Sequence, residues 1–303
     1  MQKKSLVAVL LFSLLMGVLS LAGCSDNGEA TPIVPDIDAG ADSIVIQGIT
    51  LQRVTSLPPI WDVPERQIPD TIAEDVITTE LLQLSPLTQG ELIAIKHTSE
   101  GDIAFRFFPT EAPMAVENFL THAWDGFYDG IIFHRVIPDF MIQTGCPLGM
   151  GTGGESIWGG QFGQELSPQL RHFRGALAMA QSAMPNSIGS QFYVVQNSAL
   201  DPGTRAHYLE LLEMQNEVQE FMDGSTATFG EIFPAESLEY FLEHGGTPHL
   251  DWHNSDNPHT VFGHVVWGMD VVDAIANAPA SNSRPTNDIT INGFSFFTIA
   301  GGV

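Results

Sequence analysis

One segment of this chain brings together side chains that could do chemistry as a group. Between Arg135 and Gln143 lie a guanidinium, two bulky apolar side chains and an amide. One fixed cation beside an apolar surface suits a molecule that is mostly apolar with one polar backbone unit, and a proline within a peptide is such a molecule. Alternate residues of an extended chain share a face, and Pro138 interrupts the ladder because it has no N–H group. The alternation predicts these faces: Phe133, Arg135 and Ile137 together before the proline, and Met141 and Gln143 together after it, opposite Phe140 and Ile142.

The elements that must position this segment are many strands and two helices. Residues 91–97 and 102–108 are strand-like runs joined by a short polar turn, which predicts a hairpin. Residues 111–113 begin a helix, with a proline near its first turn, an apolar stripe at helical spacing and a stop at Gly126. A second amphipathic helix is predicted at 268–276. The other predicted strands are 131–136, 141–144, 176–179, 192–196, 259–266 and 289–298. This pattern fits a closed antiparallel barrel capped by a helix at each end.

The N-terminus predicts a lipoprotein signal. Lys3 and Lys4 precede an uncharged apolar stretch, 5–21, which is short for a membrane span of roughly 20 residues. The stretch ends in Leu-Ala-Gly-Cys, which resembles a bacterial lipobox, so that residues 1–23 form the signal peptide and Cys24 carries the lipid. The mature chain is then expected at the extracytoplasmic face of the cell membrane, anchored without spanning it. An ordinary secretory signal or a transmembrane anchor is the alternative.

Residues 24–88 predict an acidic, proline-containing tether in front of a domain that covers 89–303. Two stretches within it, 43–51 and 75–84, have some apolar character. They leave open an extra strand or a short helix packed on the domain. A mostly flexible spacer is the favoured interpretation, because prolines and acidic residues dominate the segment.

Charge, cysteine content and glycine pattern exclude several functions. Eleven basic against 36 acidic residues give a net charge of −25, which argues against binding to nucleic acid and to anionic headgroups. The two cysteines are Cys24 and Cys146. Lipidation of the first leaves no internal disulfide, and Cys146 is interpreted as a small apolar residue rather than a nucleophile. The GxGxxG spelling at 149–154 lacks the following helix of a dinucleotide site, which favours a glycine loop where backbone and substrate approach closely.

Three blocks, in this order, resemble the cyclophilin-type peptidyl-prolyl cis-trans isomerases. The first is FHRVIPDFMIQ at 133–143 with the glycine-rich loop after it, the second pairs 174–180 with 189–194, and the third is 259–265 with the helix 269–276. The resemblance covers about 90–300. It implies a mainly β fold, a closed antiparallel barrel capped by two α-helices, with a helical insertion at about 202–258. It also implies an enzyme that accelerates rotation about X–Pro bonds.

The same resemblance implies a role for individual residues. The catalytic set is Arg135 at the centre, Gln143 on the substrate backbone and His259 at the rim. No metal, cofactor or nucleophile is implied. The substrate-binding set is Phe140, Met141 and Leu250 along the proline pocket, Tyr193 at its base, Gln191 on the substrate backbone, and Ala180 and Gln181 at the residue before proline.

The chain departs from the family pattern at several of these positions. Gln181 replaces the usual asparagine, which lengthens one contact, and Tyr193 replaces a common phenylalanine and adds a hydroxyl that needs a partner. His249 stands where many eukaryotic members have a tryptophan, if His-Leu-Asp at 249–251 is the matching tripeptide. Leu200 competes with Leu250 for the place in the pocket wall.

The insertion leaves its own role open. Residues 208–222 and 237–243 predict helices, and the insertion either narrows substrate access, binds a partner or decorates the surface; decoration is favoured. Histidines and aspartates around it match no metal-binding spacing.

The expected function is that of a monomeric, lipid-anchored isomerase that assists folding of proline-containing exported polypeptides. The alternatives are a catalytically weak peptide-binding or chaperone module and a structural surface lipoprotein.

Overall fold

The computed structural model of this protein describes residues 40–57, 81–184, 186–220, 226–252, 255 and 257–300. Strands and helices are numbered in chain order. The strands are β1 (Ser43–Ile46), β2 (Ile49–Arg53), β3 (Leu92–Thr98), β4 (Gly101–Phe107), β5 (Arg135–Ile137), β6 (Met141–Thr144), β7 (Ala176–Met179), β8 (Phe192–Val195), β9 (Val218–Glu220), β10 (Thr226–Thr228), β11 (Val261–Trp267), β12 (Ala280–Ser281), β13 (Arg284–Pro285) and β14 (Ile291–Ile299). The helices are α1 (Pro113–Trp124), α2 (Pro202–Glu213), α3 (Phe229–Ile232), α4 (Ala235–His244) and α5 (Met269–Ala276).

The main sheet is antiparallel and runs in the order β1-β2-β14-β3-β4-β11-β7-β8-β6-β5. The chain just before β5 also meets the chain just before β14, through a bridge between Ile132 and Thr290. There the N–H group of Phe133 donates to the carbonyl oxygen of Ile289 at 2.9 Å. The architecture is therefore mainly antiparallel β-sheet with a few helices, as the sequence predicts, and the hairpin of β3 and β4 is confirmed.

Helices α1 and α5 each bury an apolar stripe against the main core. Phe119 of α1 and Val272 of α5 are fully buried there. Helix α1 begins at Pro113, where a missing N–H group costs nothing. The next two backbone N–H groups donate to the carboxylate of Glu165 at 3.0 and 2.8 Å, which satisfies part of the open first turn. Both predicted capping helices are thus confirmed as helices.

Residues 43–53 belong to the sheet. Strands β1 and β2 form a hairpin, and β2 pairs with β14 through Leu51 and Ile299. Leu51 is buried beside Ile93 and Phe297. For these residues the prediction of a flexible spacer is wrong and the alternative of an extra strand is right, because their alternate apolar residues cover the outer face of the sheet. Residues 24–39 and 58–80 of the predicted tether lie outside the described residues.

Strand β5 is shorter than predicted. It begins at Arg135, and Phe133 lies before it. The side chain of Phe133 packs in the main core with Val136, whereas Arg135 is exposed. The prediction that Phe133 and Arg135 share one face is therefore wrong, because the period of two begins only where the strand begins.

The turn between β5 and β6 also breaks the predicted alternation. Asp139 has a left-handed φ of 57°, so the chain reverses there. Phe140, which follows it, packs against the same cluster as Met141, whereas Ile142 points into the main core. The prediction that Phe140 and Ile142 share a face is wrong, since Phe140 lies in the turn and not in β6.

The insertion forms a small helical layer with its own apolar cluster. Tyr208, Leu238 and Phe241 pack there against Phe173, which precedes β7. Helix α2 ends at Glu213, and β9 and β10 pair after it, so the predicted helix 208–222 is wrong over 214–220. Residues 221 and 222 lie outside the described residues. The predicted helix 237–243 is confirmed within α4. The chain then turns at Gly245, whose φ is 80° and where a Cβ atom would overlap the backbone of Ser198.

Candidate functional site

Adjacent strands place the polar candidates of the site in one row. Arg135 of β5 lies opposite Gln143 of β6, and Gln143 lies opposite Tyr193 of β8. The Arg135 Nη1 atom donates to Gln143 Oε1 at 3.3 Å, and Gln143 Nε2 donates to Gln191 Oε1 at 3.1 Å. The Arg135 guanidinium carbon also lies 5.7 Å from the centre of the Phe140 ring. These contacts hold the exposed guanidinium of Arg135 in place, and few groups of the described residues bond to it.

The Gly-rich loop supports the far end of this row. Gln191 Nε2 donates to the carbonyl oxygens of Gly151 and Gly153 at 3.1 and 2.9 Å. A Cβ atom at Gly189 would overlap the carbonyl oxygen of Gly154. Gly189 is therefore needed for the close approach of two backbone segments. The close approach of the 149–154 loop to a substrate stays a prediction.

The apolar candidates converge beside Arg135. Met141 and Tyr193 are buried in one cluster, and Phe140, Ala180 and Leu250 pack against it half-buried. Five of the predicted substrate-binding residues thus form one apolar wall next to the guanidinium. Leu200, by contrast, packs against the cluster of the insertion. The structure places Leu250 and not Leu200 with the pocket residues, and His249 next to it stacks on Phe140 with ring centres 5.8 Å apart.

His259 closes one side of this wall. Its ring meets the Tyr193 ring edge to face with centres 5.6 Å apart, and its Nδ1 atom lies 3.3 Å from the carbonyl oxygen of Met179. Burial, together with the charge of the neighbouring His172, lowers the pKa of His259 to about 4. The imidazole is therefore neutral at pH 7 and adds no second cation beside Arg135.

The Tyr193 hydroxyl has the partner that the sequence said it needs. His172 Nε2 lies 3.0 Å from it, and His172 Nδ1 lies 2.7 Å from Asp251 Oδ1. His172 and Asp251 are each 1% exposed. Sequence reasoning missed both in this role, and the one signal for them was the extra hydroxyl of Tyr193. Burial raises the pKa of Tyr193 well above its usual range, with a smaller effect from the Asp251 charge, so the phenol keeps its proton.

Gln181 lies near the site with its amide already engaged. Its Nε2 atom donates to Asn257 Oδ1 at 2.9 Å and to the carbonyl oxygen of Pro258 at 2.8 Å. Both acceptors belong to the end of the insertion. The longer side chain thus ties the insertion to the segment after β7, and a substrate would have to share that amide.

The two cysteines are the remaining candidates. Cys24 lies outside the described residues. Cys146 is buried, with its Sγ atom 3.2 Å from the carbonyl oxygen of Thr152. Within the described ranges, no group of three or more His, Cys, Asp and Glu side chains is arranged to hold a metal ion. Nor does any helix in the part of the chain that the structure describes have the length and apolar character to cross a bilayer.

The site thus consists of an exposed guanidinium bonded to Gln143, with Gln191 beyond that glutamine and an apolar wall beside it. The family model "Cyclophilin type peptidyl-prolyl cis-trans isomerase/CLD" matches residues 92–240 and 234–295. The chain therefore belongs to the cyclophilin-type peptidyl-prolyl cis-trans isomerases, and it is an enzyme of that class.

Two staphylococcal relatives agree with this assignment. A Staphylococcus aureus protein named "Putative peptidyl-prolyl cis-trans isomerase" is 42% identical over 204 residues, which are 67% of this chain and 90% of that protein. A Staphylococcus saprophyticus protein of the same name is 41% identical over 216 residues, 71% of this chain and 96% of that protein. A solved Cryptosporidium parvum cyclophilin has a TM-score of 0.48 and 26% identity, over 70% of this chain and 99% of its own.

Proposed function

We propose that Arg135 accelerates X–Pro rotation by binding the twisted transition state more tightly than the planar peptide. Amide resonance sets a rotation barrier of roughly 18–20 kcal/mol. In the twisted form the prolyl nitrogen becomes pyramidal and regains its lone pair. A guanidinium that donates to that nitrogen lowers the barrier, because the planar ground state offers no such acceptor.

The main support for this proposal is that one exposed cation, the Arg135 guanidinium, lies at the edge of an apolar wall. Phe140, Met141, Leu250 and Tyr193 would hold the prolyl ring while the preceding residue rotates. Gln143 and Gln191 would bind the substrate backbone, Ala180 would contact the residue before proline, and neutral His259 would close the rim. The closed form of the barrel belongs to the same proposal, and the bridge between Ile132 and Thr290 supports it.

The direct test is isomerisation of a short Ala-Pro peptide by the full chain in mild detergent. Arg135→Ala should lower kcat/KM by about 10²- to 10³-fold, the usual cost of removing one donor to a transition state. Arg284→Ala is the matched control, since that arginine is also exposed but bonds Gly149 and Asp288. Equal activity of wild type and Arg135→Ala would refute the role of Arg135.

We further propose that the mature chain works on exported polypeptides at the outer face of the cell membrane, as a monomer anchored through Cys24. The lipobox-like sequence before Cys24 supports this, and the net charge of −25 leaves anchoring to the lipid and not to headgroup attraction. In a lipoprotein-processing bacterial host, wild type should fractionate with membranes and Cys24→Ser should not. Membrane retention of Cys24→Ser would contradict the anchor and favour an uncleaved span.

A second candidate function is a peptide-binding or chaperone module with weak turnover. The engaged amide of Gln181 favours it, because that amide would have to leave Asn257 and Pro258 to serve the residue before proline. Peptide binding without acceleration by the folded wild type would support this candidate. Gln181→Asn, which shortens the side chain to the family's usual length, should then raise kcat/KM.

A further inference from the structure

A buried hydrogen-bonded chain runs from the floor of the proline pocket to the end of the insertion. It joins the Tyr193 hydroxyl, both ring nitrogens of His172 and the carboxylate of Asp251, with separations of 3.0 and 2.7 Å. Both ring nitrogens of His172 are thus engaged, Nδ1 with the Asp251 carboxylate and Nε2 with the Tyr193 hydroxyl. The ring plane of Tyr193 is thereby fixed from below.

Asp251 also clamps the backbone of His172. Its Oδ1 atom accepts the His172 backbone N–H at 2.7 Å in addition to its contact with the ring at Nδ1. On the other side, the N–H group of Thr247 donates to the carbonyl oxygen of His172 at 2.8 Å. Residues 247–251 therefore hold both polar groups of the His172 backbone, and the end of the insertion is fastened to the sheet at this point.

The residues between these two fastenings form part of the pocket wall. Leu250 packs with Met141 and Tyr193, and His249 stacks on Phe140. The backbone of His259 donates to the carbonyl oxygen of Leu250 at 3.1 Å, which joins the wall to the rim. A shift of Asp251 would consequently move the wall of the pocket and its floor together.

Burying the Asp251 carboxylate costs free energy unless its hydrogen bonds to His172 are made. The residue is 1% exposed, and within the described part of the chain its Oδ2 atom has no hydrogen-bond partner. The nearby guanidinium of Arg171 is the compensating charge, since the two interact electrostatically. A buried carboxylate with this little support is a liability for stability alone. Its two bonds to His172 give it a use in fixing geometry.

The geometry points to His172 and Asp251 as positioning residues that act on the proline pocket through Tyr193 and Leu250. This inference rests on the proposed function of the pocket. It gives the insertion a specific role, because strand β8 supplies Tyr193, the segment before β7 supplies His172, and the insertion supplies Asp251, which holds His172 in place. The pocket holds the prolyl ring equally in the planar and the twisted state. The hydrogen-bonded chain of Tyr193, His172 and Asp251 should therefore affect peptide binding and KM, whereas Arg135 should affect kcat.

The test is a double-mutant cycle on the full-length protein, with Tyr193→Phe, Asp251→Asn and the double variant. For each, the Kd of an Ala-Pro peptide and its kcat and KM are measured. Each single variant should raise Kd and KM about three- to tenfold and leave kcat within about twofold of wild type. The double variant should raise Kd little more than either single variant, because removing one hydrogen bond already interrupts the hydrogen-bonded chain. Tyr240→Phe is the control, since it removes a hydroxyl within the insertion, away from this chain, and should leave Kd unchanged.

Several results would overturn the inference. Unchanged Kd in Tyr193→Phe and Asp251→Asn, with only a lower melting temperature, would make the chain a stabilising feature alone. Fully additive losses would make Tyr193 and Asp251 independent. If Asp251→Asn fails to fold, Tyr193→Phe decides, because it deletes one oxygen atom. If the wild type binds peptide but does not isomerise it, the proposed isomerase mechanism is wrong. The double-mutant cycle measured in Kd still tests the role of the hydrogen-bonded chain in that case.

Discussion

Replacing Lys96 with methionine is expected to stabilise the fold. Lys96 is the only lysine beyond residue 4, and its side chain is fully buried in β3. Its Nζ atom has no hydrogen-bond partner within the described residues. It lies 5.1, 4.8 and 5.3 Å from the ring centres of Phe105, Phe133 and Phe192. A charge is thus held in the core by aromatic faces alone.

Burial lowers the pKa of Lys96 from 10.5 to about 7. Each unit is worth about 1.4 kcal/mol, so the charged form costs about 5 kcal/mol relative to the unfolded chain. Below pH 7 the amine is charged in both states and the cost is complete. Between pH 7 and 10.5 only the unfolded state binds the proton, so wild-type stability rises with pH.

Urea unfolding of the full chain in mild detergent, followed from pH 6 to pH 10, measures this effect. Lys96→Met should be more stable than wild type by about 5 kcal/mol at pH 6, and the difference should shrink towards pH 10. Ile103→Met is the matched control, because Ile103 is the cross-strand partner of Lys96 and is equally buried. A Lys96→Met variant that is less stable at pH 6, or a difference independent of pH, would refute this reasoning.

Three further predictions concern the pocket and the core. Leu250→Ala should raise KM for an Ala-Pro peptide about tenfold by removing apolar wall, whereas Leu200→Ala should leave KM unchanged; the reverse outcome would reassign the wall. His249 offers less surface than a tryptophan, so cyclosporin should bind weakly, and His249→Trp should tighten it about tenfold by calorimetry; nanomolar binding to wild type would contradict this. Burial, aided by the Arg106 charge, lowers the pKa of His264 from 6.5 to about 4, so the unfolded state takes up the proton first and stability should fall by about 3 kcal/mol from pH 6.5 to pH 4. In His264→Gln that acid slope should be smaller, and an unchanged slope in urea titrations would argue against it.

The sequence places Arg135 and Gln143 near each other because this part of the polar row is local. Arg135 and Gln143 belong to one hairpin, so their register follows from the turn at Pro138 and Asp139. The predicted faces of Phe133 and Phe140 are wrong, since side chains alternate with a period of two only inside a strand. Phe133 and Phe140 lie just outside the strands and take directions that the turn and the core decide.

Contacts between distant segments were beyond the sequence. Leu250 and Leu200 have the same local chemistry, and only the packing of the insertion separates them. The bond between His172 and Asp251 spans 79 residues, and no periodicity encodes it. The hairpin β1–β2 lies in a segment whose prolines and acidic residues predict a spacer, and its partner strand β14 lies far along the chain, where no local pattern indicates the pairing.

The central claim is that Arg135 acts on the transition state and the apolar wall acts on binding. NMR exchange measurements on an Ala-Pro peptide, titrated with enzyme up to saturation, give the Kd from the titration and the on-enzyme interconversion rate at saturation. Arg135→Ala should slow interconversion about 10²- to 10³-fold and change Kd less than about threefold. An interconversion rate close to wild type, with the loss confined to Kd, would contradict the account and make Arg135 a binding residue only.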